Sequence, residues 1–324
     1  MRPLSAYQEI FQQHLDRQTL PDHPRGLYDP ITYIMGLGGK RIRPVLTLLS
    51  ADLFDADVAH ALPAATAVEV FHNFSLVHDD IMDHAPLRRG HETVHEKWNL
   101  NTGILSGDAM LILAYRHFEA YEPAVFRELA MLFSQTALEV CEGQQWDVDF
   151  ETRDDVTIPE YLRMIEYKTA VLLGAALKMG GIVATTSDKN KEAIYDFGRN
   201  LGIAFQLQDD YLDAFGDAAT FGKQIGGDII ENKKTYLYLK ALEQAAPSER
   251  EALLQLYSIH AQDNADKIRS VKEIFVSSKA AEATTEAIRD YTYKAFAVLE
   301  ELDVPEDRKP ILRAFGEKLM ARSV

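Results

Sequence analysis

Residues 63–83 read PAATAVEVFHNFSLVHDDIMD. Val68, Phe71, Ser75, His78 and Met82 recur at spacings of three and four, which puts them on one side of an α-helix. The stretch predicts a long helix that starts near Pro63 and ends in an acidic cluster. Working outward, Tyr7, Ile10, Phe11 and Leu15 share one helical face, and Met110, Leu113, Ala114, His117 and Phe118 share another. Further helices are expected over 159–179, 190–215 and 233–244, with two more after Ala281 and Glu306. No stretch alternates as a half-buried strand does. The 18 Gly and 12 Pro in 324 residues are too few for many short strands joined by tight turns. There is no repeat, low-complexity tract or Pro/Ser-rich linker. The fold class is therefore all-α, a single all-helical domain over 1–324 with roughly ten or more helices. Residues 216–228 hold four Gly and little periodicity, so they are expected to form a lid-like loop.

Charge narrows the function. The chain carries 34 Lys and Arg against 50 Asp and Glu, a formal net charge of −16. Sequence-independent nucleic-acid binding is disfavoured, because neutralising phosphates takes a surplus of cations. A polybasic membrane anchor is disfavoured for the same reason. No apolar stretch approaches the ~20 residues that span a bilayer; the best candidate, Val171 to Leu177, stops at Lys178. Stable membrane insertion is not expected. Met1 to Gln13 lacks a basic stretch followed by an apolar run, so a cytoplasmic enzyme is expected. Cys141 has no partner for an internal disulfide and reads as a small core residue. The acidic excess serves either solubility or the holding of divalent cations.

Two clusters bear on that choice. Asp79, Asp80 and Asp83 lie in VHDDIMD, and Asp209, Asp210 and Asp213 repeat the spacing in LQDDYLD. On a helix, residues four apart share a face about 6 Å apart along the axis. Such carboxylates repel each other, and the first cluster also sits at a helix C-terminus, where negative charge is unfavourable. Phe205, Leu207, Tyr211, Leu212 and Phe215 around the second mark a buried or half-buried helix. One DDxxD alone reads equally well as an exposed acidic patch. Two copies in largely apolar helices favour a cation. Oxygen ligands without His or Cys suit Mg²⁺, which takes one or two carboxylates and completes its shell with water and substrate phosphate. Neither cluster has the loop of an EF-hand.

The scarce cations cluster too. Gly38-Gly39-Lys40-Arg41-Ile42-Arg43-Pro44 sets a flexible turn and three cations at a helix start, which suits a phosphate or diphosphate. Arg88 and Arg89 follow closely after Asp83. Lys168, Lys223 and Lys233 could supply further charge. His72 lies two turns before Asp79 on nearly the same face, either as a core residue or as a phosphate donor. His78 and His84 read as structural or solvent-facing.

Taken in order, GGKRIRP, FHNFSLVHDDIMD, RRG, Lys168-Thr169, FQLQDDYLD, Lys223 in a Gly-rich loop and the later KKT resemble the trans-isoprenyl diphosphate synthase family, also called polyprenyl synthetases. The resemblance runs from about Gly36 to Thr235. It implies an isoprenoid-synthase-type helical bundle around a central cavity, usually a homodimer. By resemblance, Asp79 and Asp83 bind Mg²⁺ that bridges to an allylic diphosphate, with Asp80 in support. Asp209 holds another Mg²⁺, with Asp210 and Asp213 in its outer shell. Lys40, Arg43, His72 and Arg89 match the isopentenyl diphosphate site. Arg88, Lys168, Lys223 and Lys233 match the grip on the allylic diphosphate, and the oxygens of Thr169 and Gln206 face the reacting carbon. One departure is visible: Asn232 stands where the family usually has Gly before Lys233.

In this family, bulk one turn ahead of the first aspartate motif limits product length. Helical geometry puts Ser75 roughly 40° and Phe74 roughly 140° from Asp79. Ser75 leaves room, Phe74 is the candidate floor, and geranylgeranyl diphosphate is the expected product. Farnesyl or longer products are the alternatives. A terpene cyclase would lack the second aspartate cluster and GGKRIRP, and a non-catalytic partner subunit would lose one aspartate motif. Both clusters are present.

Overall fold

The computed structural model describes residues 1–217, 225–259 and 264–321. Four helices, α1 (Leu4–Leu15), α2 (Arg25–Gly36), α3 (Ile42–Leu53) and α4 (Val58–Met82), lead to the first aspartate cluster. A short antiparallel pair follows, β1 (Leu87–Arg88) with β2 (His91–Glu92). Then come α5 (Val94–Lys97), α6 (Leu100–His117), α7 (Pro123–Thr152), α8 (Ile158–Ile165), α9 (Val171–Val183) and α10 (Asp188–Phe215). The remainder is α11 (Gly227–Ile230), α12 (Tyr236–Gln244), α13 (Pro247–Tyr257), α14 (Asn264–Ser277), α15 (Ala280–Glu301) and α16 (Lys309–Met320). The all-helical class expected from the periodicity is the one observed. Among the described residues, no helix is long and apolar enough to cross a membrane.

Helix α4 begins ahead of Pro63 rather than at it. Asp57 is the cap, its side chain accepting the Ala59 N–H at 3.0 Å. Pro63 lies inside the helix, where a missing N–H and a bulky ring disturb the ladder. The Tyr121 hydroxyl repairs the disturbance. It accepts the Ala64 N–H at 3.1 Å and donates to the His60 carbonyl at 2.7 Å. The expected helix over 159–179 is α8 and α9 joined through a π-turn at Glu166–Ala170. The expected helix at Lys233 begins later, at Tyr236, after the cap residue Thr235.

The chain forms two compact units. The first is Met1–Ser134 with Ala175–Ile194, and the second is Gln135–Gly174 with residues from Tyr195 on. In the first, the middle of α4 is buried on all sides from Ala64 to Phe71, and Phe74 and Val77 are buried beyond it. Helix α6 approaches it closely at Gly107, where a Cβ would lie 2.3 Å from His78 Nε2. His78 is thus a packing residue. At Gly180 a Cβ would lie 2.4 Å from the Thr47 carbonyl of α3, and the Thr47 hydroxyl donates to the Ala176 carbonyl at 2.8 Å.

In the second unit, Tyr161, Ile165, Ile203, Leu207, Leu237, Leu253 and Phe275 belong to one buried cluster. The π-turn is clasped between two glycines. A Cβ at Gly143 on α7 would lie 2.3 Å from the Lys168 amide nitrogen, and one at Gly202 on α10 would lie 2.7 Å from the Ala170 Cα. A π-turn is an inserted residue in a helix, retained most often where a side chain must be aimed. Here it carries Lys168 and Thr169.

Candidate active site

In the first unit the aspartates occupy the last turn of α4. Asp83 caps the helix, its N–H donating to the Asp79 carbonyl at 2.9 Å. Asp80 is 1% exposed. Its Oδ1 accepts from Arg88 Nε at 2.9 Å and Nη2 at 2.5 Å, and the same Nη2 lies 3.8 Å from Asp79 Oδ2. Burial raises the Asp80 pKa, against the lowering by Arg88. Burial works against the Arg88 charge, but the Asp80, Asp79 and Asp83 carboxylates outweigh it and raise its pKa. Asp80 Oδ2 is buried and has no hydrogen-bond partner among the described residues.

Arg88 is aimed by the β1–β2 hairpin. Its turn residues Arg89 and Gly90 have φ of 54° and 79°, the left-handed pair that two-residue hairpins require. Arg89 donates through Nη1 to the Gly38 carbonyl. Its guanidinium fills the space over Gly39, where a Cβ would lie 2.9 Å from Cζ. The hairpin tip and the GGKRIRP turn are therefore one structure.

Within GGKRIRP, Arg41 departs from the phosphate-binding reading. It is buried, in an ion pair with Glu69 at 2.5 Å, and it donates to the Met35 carbonyl. Asn73 Nδ2 adds a 3.1 Å hydrogen bond to Glu69. Arg41 braces the turn. Lys40 is exposed. Arg43 Nη1 lies 3.1 Å from His72 Nε2. A guanidinium can only donate, so Nε2 accepts and the imidazole proton sits on Nδ1. Burial, then the nearby Arg43 and Arg89 charges, hold His72 well below its usual pKa and keep it neutral. Of the His72 ring nitrogens, Nδ1 is the one left to donate.

In the second unit, Asp210 accepts from the Tyr161 hydroxyl at Oδ2 and from Gln206 Nε2 at Oδ1, the latter at 2.9 Å. The Thr169 hydroxyl donates to Gln206 Oε1 at 3.2 Å. Burial, then the Asp228 charge, push Asp210 up to about 8. Asp209 on the same turn is half-buried. Asp213 Oδ2 accepts the Asp228 N–H at 3.0 Å, so it caps α11. Lys168 pairs with Asp147 at 2.5 Å. Lys233 pairs with Glu231 at 2.9 Å and approaches Asp228 at 3.7 Å. Asp147, Tyr161, Lys168, Gln206, Asp210 and Lys233 line a cavity of about 130 Å³. Lys223, and most of the loop expected over 216–228, lie outside the described residues.

Asn232 resolves its own departure from the family pattern. Its φ is 59°, a left-handed conformation that Gly adopts freely and Asn more readily than other residues. The backbone requirement is met without Gly.

Among the described residues, no three His, Cys, Asp or Glu side chains converge so as to hold a metal by themselves. The donors present are carboxylates, and one buried oxygen of Asp80 lacks a hydrogen bond among the described residues. That donor set fits Mg²⁺, which binds through one or two carboxylates and shares its shell with phosphate. Glu69, Asp147, Tyr161 and Asp228 were not singled out from the sequence. Tyr161 meets Asp210 across 49 residues, and no helical period reports such a meeting.

An all-helical fold with two DDxxD turns, the first held by Arg88 and the second by Tyr161 and Gln206, is the kind of frame a prenyltransferase uses. Residues 24–275 match the polyprenyl synthetase family, to which the chain belongs. It is a trans-prenyltransferase. A short chain isoprenyl diphosphate synthase of Methanothermobacter thermautotrophicus is 38% identical over 311 residues, 94% of each chain. A geranylfarnesyl diphosphate synthase of Natronomonas pharaonis is 39% identical over 264 residues, 76% of this chain and 77% of that one. The crystal structure of a geranylgeranyl pyrophosphate synthase superimposes with a TM-score of 0.96 at 54% identity, covering 100% of both chains.

Proposed function

We propose that the protein condenses isopentenyl diphosphate with an allylic diphosphate, with Mg²⁺, to give geranylgeranyl diphosphate. The arrangement of Arg88 between Asp80 and Asp79 carries the reading. Carboxylates alone would suit any cation, and arginines alone any phosphate. A Mg²⁺-bound diphosphate needs both at one place.

In this reading Asp79, Asp83 and Asp209 are the Mg²⁺ ligands, and the ion supplies positive charge against the departing diphosphate. Asp80, Asp210 and Asp213 hold neighbouring groups in place. Arg88, Lys168, Lys223 and Lys233 bind the allylic diphosphate. Lys40, Arg43, Arg89 and His72, through its Nδ1 proton, bind isopentenyl diphosphate. The allylic C–O bond breaks and its electron pair leaves with diphosphate. The double bond of isopentenyl diphosphate attacks the cation. A proton is then lost from the adjoining carbon to the released diphosphate. Thr169 and Gln206 present oxygens to the positive carbon, and their mutual hydrogen bond fixes those oxygens. Water has to be excluded, because it would trap the cation as an alcohol.

Product length rests on Phe74 and Ser75. Phe74 is buried, its ring 5.5 Å from Phe71 and 4.8 Å from His78. The Ser75 hydroxyl folds back onto the His72 carbonyl at 2.9 Å. The 54% likeness to a geranylgeranyl pyrophosphate synthase supports a twenty-carbon stop.

A cytoplasmic homodimer goes with this reading. On α6, Leu105 and Ile112 are seven residues apart on one face and stay 60% and 59% exposed, an apolar stripe suited to a second copy. The test is elongation of allylic primers of increasing length with Mg²⁺, followed by chromatography of the dephosphorylated product. Cyclic hydrocarbon, or no turnover with any primer, overturns the reading. A twenty-five-carbon product overturns the assignment of length.

A further inference from the structure

The geometry points to Lys267 as a positioning residue that, through Asn232, sets Lys233 for the allylic diphosphate. The inference rests on the assignment of Lys233 above and adds a residue that no motif contains.

Lys267 lies on α14 and is 3% exposed. A buried ammonium is costly unless its donors are satisfied. Its Nζ donates to Asn232 Oδ1 at 2.5 Å and to the Ile259 carbonyl at 3.1 Å. It also stands 5.8 Å from the centre of the Tyr257 ring. Among the described residues these partners are neutral oxygens and a ring, with no carboxylate. Burial accordingly pulls the Lys267 pKa down. A charge buried merely for stability would ordinarily be paired with an acid. Among the described residues, the one side chain to which this ammonium donates is that of a left-handed residue, Asn232.

That residue occupies a decisive position. Asn232 follows α11 and directly precedes Lys233, whose N–H donates to the Asp228 carbonyl at 2.9 Å. The next residue on α14 holds the other end of the same segment. Gly226, with φ 82°, packs on Ile268, and a Cβ there would lie 2.8 Å from Ile268 Cδ1. Two consecutive residues of α14 thus clasp both ends of 226–232, which carries Asp228 and Glu231 and aims Lys233. A glycine at 232 would adopt this conformation unaided. Asn adopts it less freely, and the bond to Lys267 makes up the difference.

The test is Lys267→Met, alone and combined with Asn232→Gly, in the full chain. Lys267→Met should raise the KM for the allylic diphosphate about tenfold, as expected for losing one charge-assisted hydrogen bond. The KM for isopentenyl diphosphate should stay within about twofold. Amide exchange in 226–235 should speed up. Adding Asn232→Gly should restore both readouts, since Gly needs no anchor. Asn232→Ala removes the anchor from the other side and should reproduce the KM change should Lys267→Met fail to fold. Equal loss of affinity for both substrates, no change in exchange, or no rescue by Asn232→Gly would overturn the proposal. The exchange measurement requires no turnover. A wild-type chain that elongates no primer refutes the reaction assignment, whereas unchanged exchange refutes the anchor.

Discussion

Arg88 donates to a single oxygen of Asp80 through Nε and Nη2, and that Nη2 reaches to within 3.8 Å of Asp79. One guanidinium therefore orients two neighbouring carboxylates at the end of α4. A lysine would keep the charge and lose the two-pronged hold. Arg88→Lys should lower kcat/KM for the allylic diphosphate roughly tenfold or more, with little change for isopentenyl diphosphate. Arg88→Met leaves Asp80 buried without its cation, and should destabilise the fold by about 3 kcal/mol in denaturant unfolding.

The clasp on the π-turn makes a second expectation. A methyl group at Gly143 cannot fit 2.3 Å from the Lys168 nitrogen, so backbone must move. Gly143→Ala should cost about 1–3 kcal/mol of stability. It should also raise the KM for the allylic diphosphate, because Lys168 rides on the displaced turn. Thermal unfolding and steady-state kinetics together check this.

Product length is tested at two adjacent positions. Phe74→Ala should lengthen the product and Ser75→Phe should shorten it, read from chromatography of the dephosphorylated alcohols. Phe74→Ala also opens a cavity beside Phe71 and should lose about 3–5 kcal/mol of stability. An unchanged product distribution would remove Phe74 as the floor.

His117 supplies a pH dependence. Burial, then the charges of His14 and Arg116, lower its pKa to about 4. The unfolded chain binds this proton near the ordinary histidine value of 6.5, so between pH 6.5 and 4 it holds more protons than the folded one. Stability should therefore fall as pH drops through that window and level off above it. His117→Gln should flatten the melting temperature against pH over the same range. A profile unchanged by the substitution would be inconsistent with this account.

The exposed stripe on α6 gives a fifth. Leu105→Glu with Ile112→Glu should leave monomer folding intact and shift light-scattering mass to half that of the wild type. A wild-type chain already monomeric at micromolar concentration would exclude the dimer.

Much of the fold was legible because helical periodicity is local. Val68, Phe71 and Ser75 needed no knowledge of what they face to place α4. The start of that helix is not legible in the same way, since a proline inside a helix needs an outside group to repair the ladder. That group, Tyr121, lies 57 residues beyond Ala64, whose N–H it accepts. The aspartate and basic motifs were legible because their residues are close in sequence.

The partners were not legible. GGKRIRP shows three cations, and only the fold turns Arg41 inward onto Glu69, 28 residues on. Asn232 departs from the motif in sequence, and only its left-handed backbone and its bond to Lys267 account for the departure. By itself, the amino-acid order determined the class of structure and the chemical groups available, since both follow from spacing along one chain. The tertiary structure decided which charges meet a substrate and which are consumed in holding the frame. Burial and hydrogen bonding depend on neighbours brought together across tens of residues, and no pattern in the order of residues records that meeting.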